Sequence, residues 1–230
     1  MIVTLIQTRM KSTRLPGKCM MLMDGIPMTS YTIAAAENSE LTNLHGIIFP
    51  ESDLTTIGKY YEDKLFCYPG AELDVLDRYY KAVMSIEKAT GSEITHIVRL
   101  TSDCPLLAFV PFLIDKVITT HLKNDNDFTH NRGENNFPSG FDIEVMTRDV
   151  LSYSYRHAKN EEREHVTLYA KRNKNNMFRI GGLSKNLKPN NYKFSVDTEE
   201  EFKKVEMLVQ LLNFNNNIMD KWRFINENQK

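Results

Sequence analysis

The stretch "IVTLIQTRMKSTRLPGK", residues 2–18, joins a short apolar run to a basic loop. Its opening letters, "IVTLIQ", predict a buried β-strand because β-branched and aliphatic residues dominate them. The Pro16-Gly17 pair disfavours regular secondary structure near the end of the stretch. The loop contains four cations: Arg9, Lys11, Arg14 and Lys18. A loop that leaves the carboxyl end of a parallel strand lies where open α/β sheets bind ligands, so this loop is the first candidate for a binding site.

Strand and helix patterns alternate through the first 130 residues. After the strand at 2–7, apolar runs predict further strands at 46–49, 65–68, 94–100 and 127–129, and Pro69-Gly70 is expected to end the strand at 65–68. Helical spacing of apolar residues predicts helices at 28–38, 73–89 and 111–122. This alternation is typical of βαβ units and indicates a mostly parallel sheet.

The pattern changes after residue 130. Strands are predicted at 141–146, where the alternation is that of an antiparallel strand, at 178–183 and at 192–196. Helices are predicted at 148–157, 164–172 and 198–212, the last with Thr198 as its N-cap. We therefore predict an α/β fold of Rossmann-like type, with three αβα layers around a mostly parallel sheet and a small antiparallel extension. Residues 1–212 would form a single domain, with 130–185 as its extension and 213–230 as a C-terminal tail.

Composition excludes several classes of protein. Twenty-nine basic and thirty acidic residues nearly cancel, whereas a general nucleic-acid surface needs a basic excess. No apolar run approaches the roughly 18 residues of a membrane span, and no signal-peptide pattern is present. The three cysteines are widely spaced, which predicts neither disulfides nor a zinc site. We expect a cytoplasmic protein that binds neither nucleic acid nor membrane.

The basic loop has the chemistry of a phosphate site. Arg9 and Arg14 would each grip phosphate oxygens through two parallel hydrogen bonds, and Lys18 would supply a compact charge. Gly17 has no Cβ, so its backbone would approach an anion closely. The loop matches neither the GxxxxGK[ST] nor the GxGxxG pattern, which disfavours a P-loop ATPase or a dehydrogenase.

Four carboxylates are candidates for a metal or substrate site. Asp103 directly follows a predicted strand, and Asp197 ends another; the structural alternatives are a turn residue before Pro105 and a helix cap. Asp142 and Glu144 are two residues apart, which places both on one face of a strand. They would bind metal, orient sugar hydroxyls or act as a general base; alternatively, they form a solvent-facing polar stripe.

The segment "QTRMKSTRLPGK" closely resembles the N-terminal motif of sugar-activating cytidylyltransferases. This family includes the synthetases that make CMP-linked sialic acid and CMP-linked octulosonate, and the spore-coat polysaccharide branch is the most similar. The resemblance continues, in the family's order, through "ELDVLDRYYKA", "VRLTSDCPLL", "GFDIEVMT", "EREHVT" and "FSVDTEEEF". The chain departs from the pattern at Ser102, where relatives often carry glycine, and at Pro50-Glu51, where they often carry Ala-Thr.

The resemblance implies a Mg²⁺-dependent nucleotidyltransferase. It would transfer CMP from CTP to a sugar acid or related sugar and release pyrophosphate, for synthesis of a bacterial surface polysaccharide or glycoconjugate. Relatives are often dimers that use the segment after residue 130, so a homodimer is expected. Two alternatives remain: a non-catalytic nucleotide or sugar-nucleotide binding module, and a glycosyltransferase. The glycosyltransferase pattern Asp-x-Asp occurs only as Asp125-Asn126-Asp127, away from the expected crevice.

The resemblance also implies roles for individual residues. The catalytic residues would be Arg14, Lys18 and Asp103, and the metal ligands Asp103 and Asp197. The nucleotide would be bound by Gln7, Arg9, Ser12, Arg14, Lys18, Ser52, Asp53 and Asp77. The sugar acceptor would be bound by Arg78, Tyr79, Asp142, Glu144, Glu164 and His165. In the tail, Trp222, Phe224 and Ile225 would pack on a partner or back onto the domain.

Overall fold

The structure is a computed structural model that describes residues 1–132, 137–183, 192–214 and 219. Trp222, Phe224 and Ile225 lie outside the described residues. The strands are β1 (Ile2–Gln7), β2 (Leu22–Met23), β3 (Ile26–Pro27), β4 (Leu44–Pro50), β5 (Phe66–Gly70), β6 (His96–Thr101), β7 (Phe128–His130), β8 (Glu144–Thr147) and β9 (Ile180–Gly182). The α-helices are α1 (Met28–Glu37), α2 (Lys59–Tyr61), α3 (Val75–Thr90), α4 (Phe112–Lys123), α5 (Arg148–His157), α6 (Glu161–Glu164), α7 (Leu168–Arg172) and α8 (Glu199–Phe214).

A seven-stranded sheet has the order β5-β4-β1-β6-β8-β7-β9. Strand β1 pairs in parallel with β4 and β6, and β4 pairs in parallel with β5. Strand β8 is antiparallel to both β6 and β7. A separate two-stranded antiparallel sheet, β2–β3, follows the basic loop. The predicted Rossmann-like α/β fold with an antiparallel extension is confirmed.

Both faces of the sheet are covered by apolar packing. Ile6 of β1 belongs to one buried cluster, which includes residues of α1, α4 and α8. Val3 and Leu5 belong to a second cluster, formed with α3 and α5. A parallel strand buried on both faces reads as a continuous apolar run, which is why the opening letters predict β1 so clearly. No helix in the described part of the chain has the length and apolarity to cross a membrane.

Strand β5 continues through Pro69-Gly70, so the prediction that this pair ends the strand is wrong. Pro69 lies opposite Phe49, and Gly70 lies opposite Pro50. Strand β5 is at the edge of the sheet, so no further strand lies on its outer side to require a hydrogen bond from the N–H that proline lacks.

Several predictions in the second half differ from the structure. The strand predicted at 141–146 begins only at Glu144, so Asp142 lies outside β8 and the two carboxylates do not share a strand face. The strand at 192–196 is not formed; Lys193 makes only an isolated bridge to Ser139. Of the helix predicted at 164–172, only 168–172 forms a helix of its own, α7, while Glu164 ends α6 and residues 165–167 are not helical. Helix α8 continues beyond residue 212, where Asn213 is buried and its Nδ2 donates to Asp24 Oδ2 at 2.8 Å.

Candidate active site

A cavity of about 220 Å³ opens where β1 and β6 end, between the basic loop and the start of α3. Its wall includes five cationic side chains, Arg9, Arg14, Lys18, Arg78 and Arg99, and three carboxylates, Asp103, Glu164 and Asp197. The excess of positive charge favours an anionic ligand. The lining includes ten of the residues predicted from sequence: Gln7, Arg9, Ser12, Arg14, Lys18, Arg78, Asp103, Glu164, His165 and Asp197.

The basic loop is closed by an internal hydrogen bond and anchored to the 3-10 helix that follows β4. Gly17 has a φ of 74°, which favours glycine, and its N–H donates to the Met10 carbonyl at 2.8 Å. The Met10 N–H in turn donates to Asp53 Oδ2 at 2.9 Å. Asp53 is 5% exposed, lies in a 3-10 helix after β4, and does not line the cavity. Its carboxylate therefore anchors the loop from outside the cavity.

Asp53→Ala is expected to destabilise the protein by about 1.5–3 kcal/mol, because the Met10 N–H loses its hydrogen bond to a buried carboxyl group. Urea unfolding gives the stability, and the same samples should bind a triphosphate more weakly since the loop is no longer anchored. Asp53→Asn is the matched control, because its amide oxygen still accepts from Met10. If Asp53→Asn weakens triphosphate binding as much as Asp53→Ala, the charge of Asp53 rather than the anchor is what binding requires.

Lys18 connects the two predicted metal carboxylates. Its Nζ lies 3.2 Å from Asp103 Oδ2 and 3.1 Å from Asp197 Oδ1, and it also donates to the Val196 carbonyl at 2.5 Å. Arg14 Nη2 lies 3.0 Å from Asp197 Oδ2. The cations of the first loop and the carboxylates of two distant segments therefore meet in one cluster.

Asp197 is positioned by the start of α8. Thr198 and Glu201 form a capping box: the Glu201 N–H donates to Thr198 Oγ1 at 3.3 Å, and the Thr198 N–H donates to Glu201 Oε2 at 3.1 Å. The predicted N-cap role of Thr198 is thus confirmed. Burial raises the pKa of Asp197, but hydrogen bonds from Lys193 and Lys18 outweigh it and bring the pKa down to about 2. Asp197 is therefore ionised at neutral pH.

Glu144 is the centre of a buried ion-pair network. Its Oε2 accepts from Arg99 Nη1 at 2.6 Å and from Thr167 Oγ1 at 3.1 Å, and its Oε1 accepts from Lys171 Nζ. The side chain is only 5% exposed, so the alternative of a solvent-facing stripe is wrong for Glu144. Arg99 Nε also donates to Gln7 Oε1 at 3.0 Å, which joins the network to the end of β1.

Arg78 and Tyr79 lie deep in the first turns of α3. Arg78 is 2% exposed and lines the cavity. The Ala71 carbonyl accepts two hydrogen bonds from it, one from Nε at 3.0 Å and one from Nη2. Tyr79 is fully buried and donates from its hydroxyl to the Leu5 carbonyl at 3.2 Å; it does not line the cavity. The acceptor-binding role of Tyr79 stays a prediction, and its visible contact is with the sheet.

Glu164 and His165 form one wall of the cavity, and both are exposed. Neither side chain has a hydrogen bond or ion pair to any residue in the described ranges. The preceding residue, Arg163, fixes this wall to α3, because its Nε lies 2.6 Å from Asp74 Oδ2. Two titratable side chains are therefore held at the cavity with their polar atoms available to a ligand.

The remaining predicted residues lie around the cavity without lining it. Asp77 pairs with Lys81 at 2.9 Å and accepts from the Tyr155 hydroxyl at 3.2 Å. Asp142 accepts from the Gly140 N–H at 2.8 Å and pairs with Arg132, while burial raises the pKa of its carboxyl. Ser52 is exposed on the 3-10 helix that contains Asp53. Their proposed ligand contacts stay predictions.

Sequence reasoning missed six lining residues: Thr8, Thr13, Val75, Arg99, Thr101 and Ser102. Only Arg99 left a usable signal, since a charged residue inside the apolar run of "HIVRLT" must find a buried partner. Ser102 was noted solely as a departure from the family pattern. In the structure its N–H donates to the Gln7 carbonyl at 3.1 Å, and the residue is 6% exposed.

The chain belongs to the cytidylyltransferase family, because the sequence model of that family matches residues 3–221. It is 27% identical over 219 residues to the spore coat polysaccharide biosynthesis protein SpsF of Bacillus subtilis strain 168, which covers 91% of this chain and 86% of that protein. This similarity agrees with the motif order read from the sequence.

Two solved structures share the fold. A cytidylyltransferase from Leptospira borgpetersenii superposes with a TM-score of 0.77 at 23% identity, covering all of this chain and 98% of that one. A CMP:2-keto-3-deoxy-manno-octonic acid synthetase in complex with CTP superposes with a TM-score of 0.65 at 15% identity, covering 91% and 98% of the two chains.

Proposed function

We propose that this protein transfers CMP from CTP to a sugar acid and releases pyrophosphate, as a step in making a surface polysaccharide or glycoconjugate. The observation that supports it best is the meeting of Arg14, Lys18, Asp103 and Asp197 at one cavity. Cations suited to a triphosphate and carboxylates suited to a divalent cation are both needed for nucleotidyl transfer.

The donor set of the cavity fits Mg²⁺. Asp103 and Asp197 offer hard carboxylate oxygens, their side chains are 27% and 20% exposed, and both already contact a cationic group, the Lys18 ammonium. These two aspartates would hold the ion. When bound, Mg²⁺ would neutralise phosphate charge and polarise the attacking oxygen.

The protein's own residues would mainly position and stabilise charge. Arg9, Arg14 and Lys18 would bind the triphosphate and stabilise the departing pyrophosphate. A hydroxyl of the acceptor would attack the α-phosphorus, losing its proton to water in the cavity and forming a P–O bond as the bond to pyrophosphate breaks. Glu164 and His165 would contact the acceptor, because they stand on the same cavity with no protein partner among the described residues.

The proposal includes three finer points. The metal is Mg²⁺, the protein is a homodimer that uses part of residues 130–185, and it acts in the cytoplasm. The resemblance supports the first two, and the three widely spaced cysteines, which suit a reducing compartment, support the third.

The two alternatives are less well supported. A non-catalytic binding module needs neither Asp103 nor Asp197, yet both line the cavity. A glycosyltransferase would use the Asp-x-Asp pair at the nucleotide, but Asp125 and Asp127 do not line this cavity and instead pair with Arg179 at 2.5 and 3.5 Å.

Thermal stabilisation by CTP, UTP, GTP and ATP, each with Mg²⁺, tests the proposal. We expect CTP to stabilise selectively, by about 2.7 kcal/mol at 100 times its dissociation constant. Arg14→Ala should weaken the effect, because Arg14 is 60% exposed and free to turn from Asp197 to a phosphate. The matched control is Arg156→Ala, which removes an exposed arginine of α5 outside this cavity.

The outcomes differ clearly. Preference for another nucleotide would contradict the cytidine specificity but keep the transferase class. No stabilisation by any of the four would contradict the proposal as a whole.

A further inference from the structure

Arg99 is a cavity residue that the family motifs gave no role. It lies on β6, in register with Leu5 on one side and Glu144 on the other. Gln7 accepts from its Nε and Glu144 from its Nη1, and the Tyr79 hydroxyl lies beside the guanidinium. These neighbours take at most three of the five N–H donors of an arginine.

The unused donors open towards the cavity. Arg99 is part of the cavity wall, and its side chain is 17% exposed. The guanidinium is thus held in place by Gln7 and Glu144 while presenting N–H groups to a ligand.

The surrounding charge favours an anion at this point. The Glu144 carboxylate is shared by two cations, Arg99 and Lys171, so one positive charge is left without a counter-charge in the network. Arg78, a buried cation of the cavity wall, is bonded to the carbonyl oxygens of Ala71 and Glu72 and has no ion pair within the described residues. A buried cation without a counter-charge is costly, and an anionic ligand group would relieve that cost.

The partners of Arg99 separate it from the triphosphate cations. Arg14 and Lys18 contact Asp103 and Asp197, whereas Arg99 is bound to Glu144. Thr167 also donates to Glu144, and it lies two residues after His165 in the connection between α6 and α7. Arg99 therefore lies on the side of the cavity that Glu164 and His165 form, where the acceptor is proposed to bind.

We propose that Arg99 binds the carboxylate of the acceptor and so selects a sugar acid over the neutral sugar of the same carbon skeleton. This inference rests on the proposed function. A planar guanidinium suits a carboxylate because two of its N–H groups can face the two carboxylate oxygens. Gln7 and Glu144 act as positioning residues for it.

The test compares octulosonic and nonulosonic acids with their methyl esters, which keep the skeleton but lack the charge. Binding is measured by titration calorimetry in the presence of Mg²⁺ and a non-hydrolysable CTP analogue. We expect at least one acid to bind the wild-type protein about tenfold or more tightly than its ester, the effect of one charge-assisted hydrogen bond. Arg99→Lys should lose that preference while its affinity for the CTP analogue changes less than twofold.

Arg148→Lys is the matched control, because Arg148 is also ion-paired to a glutamate, Glu87 at 3.2 Å, but lies outside the cavity. Far-UV circular dichroism and a thermal melting curve show whether Arg99→Lys is folded. Gln7→Leu removes the hydrogen bond that orients the Arg99 guanidinium but keeps the guanidinium itself, and it should also weaken binding of the acid. Three results would overturn the inference. The first is that no acid binds more tightly than its ester, and the second is that a sugar phosphate binds more tightly than every acid. The third is that Arg99→Lys lowers the affinity for the CTP analogue as much as the affinity for the acid. Failure of the wild-type protein to bind the CTP analogue would instead contradict the proposed function.

Discussion

Asp103→Asn is expected to lower the rate of pyrophosphate release from CTP by about 10²–10³-fold, the usual effect of losing one preorganised electrostatic contact. The substitution preserves the shape of the side chain and an acceptor for Lys18 Nζ, which is 3.2 Å away. It removes the negative charge that would hold a divalent cation at the cavity. The fold should survive, because Asp103 is partly exposed and its backbone carbonyl still accepts from the Val196 N–H at 3.0 Å.

Pyrophosphate release is measured with an acceptor found in the binding panel, and Mn²⁺ binding in the presence of CTP gives a second readout. Mn²⁺ should bind Asp103→Asn much more weakly than wild type. Asp63→Asn is the control, since Asp63 is an exposed carboxylate away from the cavity. A folded Asp103→Asn protein with near-normal turnover would show that catalysis does not depend on this carboxylate.

Glu144→Gln is expected to reduce the free energy of unfolding by about 3 kcal/mol, near the lower end for breaking a buried ion pair. The reason is that Arg99 and Lys171 would lose the carboxylate they share. The loss stays near the lower end because Arg99 still faces the solvent of the cavity. Urea unfolding followed by far-UV circular dichroism measures the effect. The control is Glu199→Gln, whose surface pair with Lys203 is about two-thirds exposed and should contribute no measurable stability.

The same comparison has a defined pH dependence. Burial raises the pKa of Glu144, but the charges of Arg99 and Lys171 outweigh it and bring the pKa from 4.5 to about 2. A carboxyl group whose pKa is lowered by folding stabilises the protein fully above its unfolded pKa and stops doing so as pH falls through its folded pKa. The stability difference between wild type and Glu144→Gln should therefore be constant above about pH 5 and shrink between pH 4.5 and 2. A difference that does not change with pH would contradict this assignment.

Much of the fold was predictable because the relevant signals are local. Every residue of the run 2–7 that packs in one of the two buried clusters is apolar, and the predicted bounds of the run match β1. The antiparallel direction of β8 followed from its alternation, and Thr198 followed from its place before a helix with a glutamate three residues later. The basic loop could be placed at a cavity from its position after a parallel strand alone.

The rest depends on contacts between segments far apart in sequence. Asp53 anchors the loop through Met10, and nothing near either residue indicates the other. Glu144 is buried because Arg99 and Lys171, which come from two other elements, pair with its carboxylate. The alternation of the strand, taken alone, indicates only a polar stripe. Strand β5 runs through a proline because it is at an edge, and edge positions are a property of the whole sheet.

The contacts of Lys18 imply an exchange of partners when ligands bind. Its ammonium lies between Asp103 and Asp197, and Arg14 takes another oxygen of Asp197. If Asp103 and Asp197 hold a divalent cation as proposed, a triphosphate that drew Lys18 and Arg14 away would leave both carboxylates available to it. Binding of either ligand would then favour binding of the other, and because linkage is reciprocal the two affinities would rise by the same factor.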